Sequence, residues 1–284
     1  MSLKDKFQTG QKIIWCPGCG NTGIFQAIQK AFQELDLEPW QVFVAYGIGC
    51  HGHLANYLKT YGFQGIHGRA LPLATGVKVA NKNLAVLAVA GDGDQLGEGG
   101  NHLIHACRKN PDITCLIHNN QLYSLTVGQA SPTSEKGLKT KTTPAGVVDP
   151  QLNPLALAIA SGATFVARGF AGDIAHLTQI ITKAIRHRGF ALVDILQPCV
   201  TLNYLNTFSW FKERIYKLEE TDYQPQDKSI AFKKALEWGS RIPIGVFYQE
   251  QRPTLEDNLL VGKKQPLAES SLKVNLKKLL SEFK

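Results

Sequence analysis

Asp92 and Asn120 stand 28 positions apart, and each closely follows an apolar run. The carboxylate belongs to Gly91-Asp92-Gly93-Asp94, after the run 84–90, and the amide to Asn119-Asn120, after the run 113–118. Unbroken apolar runs of that length suit strands buried on both faces. A helical pattern over 97–109, closed by Asn110-Pro111, lies between them, so the stretch 84–125 reads as a βαβ unit. Ligands of open α/β sheets bind at the carboxyl ends of strands, which brings the two side chains to one mouth. One carboxylate and one amide there suit a hard cation. Mg2+ takes one or two protein carboxylates and completes its octahedron with phosphate oxygens and water. Gly93 would let the backbone approach a diphosphate closely, with the following N–H groups turned toward it. Asp and Asn also serve ordinary turns. Their placement behind two consecutive buried strands favours the cation.

A second constellation is built from sulfur. Of six cysteines, Cys16 and Cys19 form a C-x-x-C before the first helix, Cys50 follows one strand and Cys199 another. Strand ends on one side of a sheet converge, so four thiolates can gather at one place. Four sulfur ligands select zinc or an iron–sulfur cluster, and unbound thiols are the third possibility. Cys107, in a helix, and Cys115, in a buried strand, read as core residues.

These groups need elements to hold them. A helix is expected over 22–35, with Asn21 as its cap and Ile24, Ile28, Ala31, Phe32 and Leu35 on one face. The run 40–45 ends in Tyr46-Gly47-Ile48-Gly49-Cys50-His51-Gly52-His53, and 64–69 leads through His67-Gly68-Arg69 into a helix over 70–82. Residues 126–150 are turn-rich and aperiodic, and a loop that long inside a compact domain is more often functional than idle. A helix from Asn153-Pro154 to 160, a strand over 163–167, a helix over 173–188 and a strand over 190–196 follow. The alternation predicts a doubly wound, mostly parallel α/β sheet over 1–200. Beyond it, 201–284 reads as a C-terminal extension packing on the core or on a partner subunit. That extension holds a helix over 228–238, an edge strand over 242–248 and a short amphipathic helix within 270–284.

With 284 residues and 44% hydrophobic content a sizeable core is available. No apolar run reaches 18 residues, so a membrane span is not expected, and the polar start MSLKDKFQTGQK lacks a signal peptide's apolar centre. A cytoplasmic protein is the expectation. The net charge of +8 is diffuse: 14 Lys and Arg against 11 Asp and Glu over 201–284, and 17 against 12 before that. Nucleic-acid binding calls for a stripe or cluster, so none is expected.

Taken together, W-C-P-G-C-G-N, G-I-G-C, H-G-R-A-L-P-L-A-T-G, G-D-G-D followed by G-G-N-H, N-N-x-x-Y-x-L-T-x-G-Q-A-S-P-T and Q-P-C resemble the β subunit of 2-oxoacid:ferredoxin oxidoreductases, over about residues 12–250. The G-D-G and N-N pair by itself looks like the diphosphate signature of thiamine diphosphate enzymes. The resemblance implies a 4Fe–4S cluster on Cys16, Cys19, Cys50 and Cys199, and Mg2+ on Asp92, Asn120 and the Leu122 carbonyl. It implies thiamine diphosphate against Ile48, Gly49, Cys50, His51, His67, Gly93, Asp94, Ser124 and Leu125, with Gln129 to Thr133 as a loop over the pocket. Oxidative decarboxylation of a 2-oxoacid releases two electrons, whereas ferredoxin accepts one at a time. A cluster resolves that mismatch and zinc does not.

The implied reaction turns a 2-oxoacid and coenzyme A into acyl-CoA and CO2 with reduction of ferredoxin. The short length and single cluster motif resemble the 2-oxoglutarate or broad 2-oxoacid type. Pyruvate- and indolepyruvate-type enzymes, and a non-catalytic iron–sulfur or zinc-binding subunit, are the alternatives. The resemblance places the glutamate that activates the cofactor on an α, or fused γα, subunit. This chain alone is therefore expected to be inactive. His67 is expected to donate to a phosphate. His51 and His53 are read as substrate neighbours or as a solvated pair, and His102 and His105 as structural.

Overall fold

The computed structural model describes residues 6–259, 265–270 and 275–283. In chain order, α1 (Gly20–Glu34) precedes β1 (Val42–Tyr46), α2 (Leu54–Tyr57), β2 (Tyr61–Gln64), α3 (Ala70–Ala80) and β3 (Ala85–Gly91). A π-helical turn, Gly93–Glu98, runs into α4 (Gly100–Lys109). Then come β4 (Thr114–Asn119), the hairpin β5 (Leu122–Tyr123) and β6 (Gln129–Ala130), α5 (Pro154–Ala160), β7 (Phe165–Phe170), α6 (Ile174–Arg186) and β8 (Ala191–Leu196). The remainder contributes α7 (Phe208–Lys212), β9 (Ile215–Lys217), α8 (Lys228–Ala235), β10 (Ile242–Gln249), α9 (Leu255–Leu259) and α10 (Leu276–Ser281).

Eight strands make one sheet in the order β2-β1-β3-β4-β8-β7-β10-β9. The strands from β2 to β7 in that order are parallel, β10 is antiparallel to β7, and β9 is parallel to β10. The expected doubly wound α/β architecture is the one observed. The period-2 alternation of a strand explains how one run feeds two cores. Leu87 and Val89 enter the core under α1 and α6, while Val86 and Ala88 enter the core under α3, α4, α5 and α8. Among the described residues no helix is long and apolar enough to cross a membrane.

The topology places the chemistry. Strands β1, β3, β4 and β8 are neighbours and parallel, so the segments leaving their carboxyl ends meet at one edge. Those segments carry Cys50, Asp92, Asn120 and Cys199 respectively.

Several local expectations are corrected. Asn21 does not cap the first helix: α1 starts at Gly20 with Cys19 in the cap position, and the Asn21 side chain is fully buried. It pairs instead with His118, its Oδ1 2.8 Å from Nδ1. Strand β10 is not at the sheet edge, because β9 adds outside it along Ile215–Lys217. The true edges escape a hydropathy reading, since every residue of β2 is exposed and β9 has three residues. The helix read over 97–109 is two pieces, the π turn and α4. Within 270–284, Leu276–Ser281 form α10, and 271–274 and 284 lie outside the described residues.

Candidate active site

At the mouth of β1, β3 and β4 lies a groove of about 80 Å³ lined by Ile48, Gly49, Cys50, His51, His67, Asp92, Gly93, Asp94, Asn120, Leu122, Tyr123, Ser124 and Leu125. Every residue implied for the cofactor and the cation lines this groove. Asp92 is 1% exposed, and its Oδ2 accepts hydrogen bonds from Ser131 Oγ at 2.5 Å and Thr133 Oγ1 at 2.6 Å. Burial pushes its carboxyl up to about 6, against the pull of those two hydroxyls. Keeping this carboxylate ionised at neutral pH costs on the order of 3 kcal/mol, which a bound divalent cation would offset. Asn120 is fixed by donating from Nδ2 to Ser124 Oγ at 3.0 Å and by accepting the Leu122 N–H at 3.0 Å. An amide oxygen has two lone pairs, so Oδ1 keeps one for a cation.

Asp94 has a different role from Asp92. Its Oδ1 accepts the Gly68 N–H at 2.7 Å and lies 2.8 Å from His67 Nδ1, tying the His67-Gly68 turn to the end of β3. His67 therefore has a carboxylate partner of its own, with Glu98 also 3.3 Å away. His51 is 4% exposed, not solvated, and its Nε2 is 3.7 Å from Asp94 Oδ2, too long for a direct hydrogen bond. Both of those atoms are buried without a hydrogen-bond partner. Such orphaned groups on a groove floor fit a polar ligand. The space beside Gly93 is used by the protein itself: a Cβ there would meet the Tyr123 ring at 2.5 Å. The Tyr123 hydroxyl donates toward the Gly93 carbonyl at 3.2 Å and lies equally near Glu98. The glycine is required by the packing of Tyr123.

The four cysteines lie around a second, larger cavity of about 290 Å³, lined also by Ile14, Trp15, His53, Gln197 and Val200. All four are free thiols. Burial pushes the Cys19 thiol up to about 11, and Cys199, Cys50 and Cys16 are close enough to push it the same way. Burial likewise raises Cys50, opposed by the Ser124 hydroxyl, which donates to its Sγ at 3.4 Å. Gln197 Nε2 lies 3.7 Å from Cys19 Sγ, and Trp15 Nε1 donates to the Cys50 carbonyl at 2.7 Å. Four thiols facing one cavity, Cys19 and Cys199 buried, Cys50 half-buried and Cys16 at its exposed rim, fit a polynuclear cluster, whose ligands lie farther apart than those of one ion. Among the described residues no three His, Cys, Asp or Glu side chains converge tightly enough for a single ion. Cys107 and Cys115 are fully buried in the core, away from this cavity, and burial pushes Cys107 up to about 12.

The two cavities share Cys50, Asn120, Ser124 and Leu125 as a common wall. Sequence reasoning passed over several polar residues behind that wall. Ser131 and Thr133 fall in the loop that the resemblance lays over the pocket, but their hydroxyls lie against Asp92 and do not line the groove. His118 closes an apolar run, yet it is 1% exposed with its ring 5.8 Å from that of His51. Burial and the neighbouring His51 hold it neutral, well below the usual histidine range.

Known proteins place this geometry. The C-terminal thiamine pyrophosphate-binding domain of thiamine pyrophosphate enzymes matches residues 47–195, and the C-terminal region of pyruvate ferredoxin oxidoreductase β subunits matches 199–264. A 2-oxoacid:ferredoxin oxidoreductase β subunit of Saccharolobus solfataricus is 49% identical over 249 residues, covering 84% of this chain and 82% of that one. A counterpart from Aeropyrum pernix, subunit β of 2-oxoacid:ferredoxin oxidoreductase 1, is 48% identical over 256 residues, covering 86% and 80%. Among solved structures, a 2-oxoglutarate:ferredoxin oxidoreductase from Magnetococcus marinus, with 2-oxoglutarate, coenzyme A and succinyl-CoA bound, superposes with a TM-score of 0.92. It is 33% identical, and the match covers 100% of this chain and 96% of that one. With the fold, the strand-end groove and these relatives in agreement, the chain belongs to the β subunits of 2-oxoacid:ferredoxin oxidoreductases.

Proposed function

We propose that this chain supplies the diphosphate-binding half of a thiamine diphosphate site, its Mg2+ and a 4Fe–4S cluster to a complex that oxidatively decarboxylates a 2-oxoacid. The observation that carries the reading is the wall of Cys50, Asn120, Ser124 and Leu125 common to both cavities. When bound, thiamine diphosphate supplies the carbanion chemistry of decarboxylation and the cluster takes electrons singly toward ferredoxin. Asp92, Asn120 Oδ1 and the Leu122 carbonyl hold Mg2+, with Ser131 and Thr133 keeping the Asp92 carboxylate in place. Ile48, Gly49, His51, His67, Gly93, Asp94, Ser124 and Leu125 form the groove that receives the cofactor. Cys16, Cys19, Cys50 and Cys199 hold the cluster. The groove's volume of about 80 Å³ is far below the roughly 300–1,000 Å³ of a complete ligand pocket. This supports a second wall, and with it the activating carboxylate, coming from an α or fused γα partner subunit.

The substrates follow the relatives: a 2-oxoacid, with 2-oxoglutarate favoured, coenzyme A as acyl acceptor and ferredoxin as electron acceptor. We divide the chain near residue 200 into a cofactor domain and a C-terminal extension, and we place the protein in the cytoplasm. The six free thiols, with no disulfide among the described residues, support a reducing compartment. The test is anaerobic co-expression with the α partner, followed by CoA-dependent ferredoxin reduction with 2-oxoglutarate, pyruvate and branched 2-oxoacids. The complex should be active and the single chain inactive. Full activity from the single chain, or a colourless zinc-bound complex, would overturn the reading.

A further inference from the structure

Two charged side chains lie in strands β7 and β8, which are otherwise apolar. Arg168 on β7 and Asp194 on β8 are paired in register, and both are at most 1% exposed. Arg168 Nε donates to Asp194 Oδ2 at 3.0 Å, and the guanidinium lies between the rings of Trp238 and Phe247, 5.3 and 5.6 Å from their centroids. Burying two charges costs more than their attraction generally returns, and well-packed apolar residues often serve stability as well or better. Arg168 Nη1 even remains without an acceptor. The pair therefore calls for a reason other than stability.

Its second contact supplies one. Asp194 Oδ1 accepts from Asn119 Nδ2 at 2.9 Å, which fixes which end of that amide points which way. Asn119 Oδ1 is thereby turned to the Thr133 hydroxyl at 3.0 Å, and the same hydroxyl is 2.6 Å from Asp92 Oδ2. A chain of polar contacts thus runs from Arg168 through Asp194, Asn119 and Thr133 to Asp92, with the one Thr133 hydroxyl proton shared between Asn119 Oδ1 and Asp92 Oδ2. Asn119 directly precedes Asn120, so the chain steadies both side chains assigned to the cation. Neither Arg168 nor Asp194 lines the groove.

We propose that Arg168 and Asp194 are positioning residues for the cation site: through Asn119 and Thr133 they hold Asp92 and Asn120 in the geometry that receives a divalent cation. The inference rests on the reading that Asp92 and Asn120 bind Mg2+, and its test separates the two. Mg2+-dependent thiamine diphosphate binding is measured by titration calorimetry on the co-expressed complex, beside its thermal midpoint. Asp92→Ala is the control for the reading itself and should remove Mg2+-dependent binding. The double variant Arg168→Met/Asp194→Leu replaces the ion pair with apolar bulk. It should keep or raise the midpoint while weakening binding about 10–100-fold, the range for partners behind metal ligands.

Asn119→Ala leaves the ion pair intact and cuts only the link, so it should weaken binding to a similar extent whether or not the double variant folds. Wild-type affinity in Asn119→Ala, or in a folded double variant, overturns the proposal. Wild-type affinity in Asp92→Ala overturns the cation assignment beneath it.

Discussion

The two cavities at the strand mouth touch through one wall but are built in opposite ways. The cation end of the groove is hydrogen-bonded and locally assembled: Ser131 and Thr133 donate to Asp92, Asn120 donates to Ser124, and all five lie within 42 residues of one another. The cysteine cavity draws on three distant segments, at 16–19, 50 and 199, and its side-chain donors to sulfur are Ser124 and Gln197. A network of hydroxyls and amides defines the groove before any ligand arrives. Burial disfavours the ionised form of Cys19 and Cys50, so a metal that deprotonates them would contribute directly to holding their segments together. On the proposed reading the cation end of the groove is preorganised, whereas a bound cluster would organise its own surroundings.

That contrast orders the expected effects of substitution. The largest belongs to the cysteines. Cys19→Ser or Cys199→Ser should lose the cluster and all ferredoxin reduction, and should loosen the segment before α1, seen as faster amide exchange there. Cys107→Ser should keep full iron and sulfide content while losing about 1–3 kcal/mol of stability by placing a hydroxyl in the core. Equal iron loss in both classes would erase the distinction between the cavity and the core. Next is Asp92→Ala. It should weaken Mg2+-dependent cofactor binding by more than about 100-fold, beyond the usual loss for an outer partner, yet leave the fold and the cluster in place. Iron loss on this substitution would show that the groove is not preorganised independently.

Ser124→Ala tests the wall itself, since its hydroxyl serves Asn120 on one side and Cys50 on the other. Hydrogen bonds to cluster sulfurs favour the reduced state, so the cluster potential should move to a more negative value, read by EPR-monitored redox titration. An unchanged potential would remove the hydroxyl from the cluster's surroundings. The smallest effect lies outside both cavities. His187 is buried against Thr164, its Nε2 2.8 Å from Oγ1, and burial lowers it from 6.5. As pH falls through 6.5 the unfolded histidine takes a proton that the folded one refuses, so folding stability drops by up to about 1.4 kcal/mol per pH unit. His187→Gln should flatten the fall of the thermal midpoint between pH 7 and 5 without changing cluster or cofactor content.

How much of this was legible beforehand follows the physics of each signal. Asp92 and Asn120 could be read because each ends a long apolar run, and register then places β3 beside β4. The convergence of Cys50 and Cys199 was readable for the same reason. Asn21 was misread because a polar residue ahead of an amphipathic face looks like a cap, whereas here it is buried against His118. β2 and β9 gave no hydropathy signal, being an exposed and a three-residue edge. Asp194 gave one, a charge inside the apolar run 190–196, but Arg168 lies one residue beyond the strand expected over 163–167, and only the observed strand Phe165–Phe170 and its register reveal that they meet.

On the proposed function, electrons pass from the groove to the cluster across the wall of Cys50, Asn120, Ser124 and Leu125. The most direct test is rapid-freeze EPR of the co-expressed complex, mixed anaerobically with 2-oxoglutarate and coenzyme A but no ferredoxin. A reduced 4Fe–4S signal should appear within the turnover time. In Asp92→Ala that signal should be absent, although dithionite still reduces the cluster. Turnover of 2-oxoglutarate with the cluster remaining oxidised would contradict it.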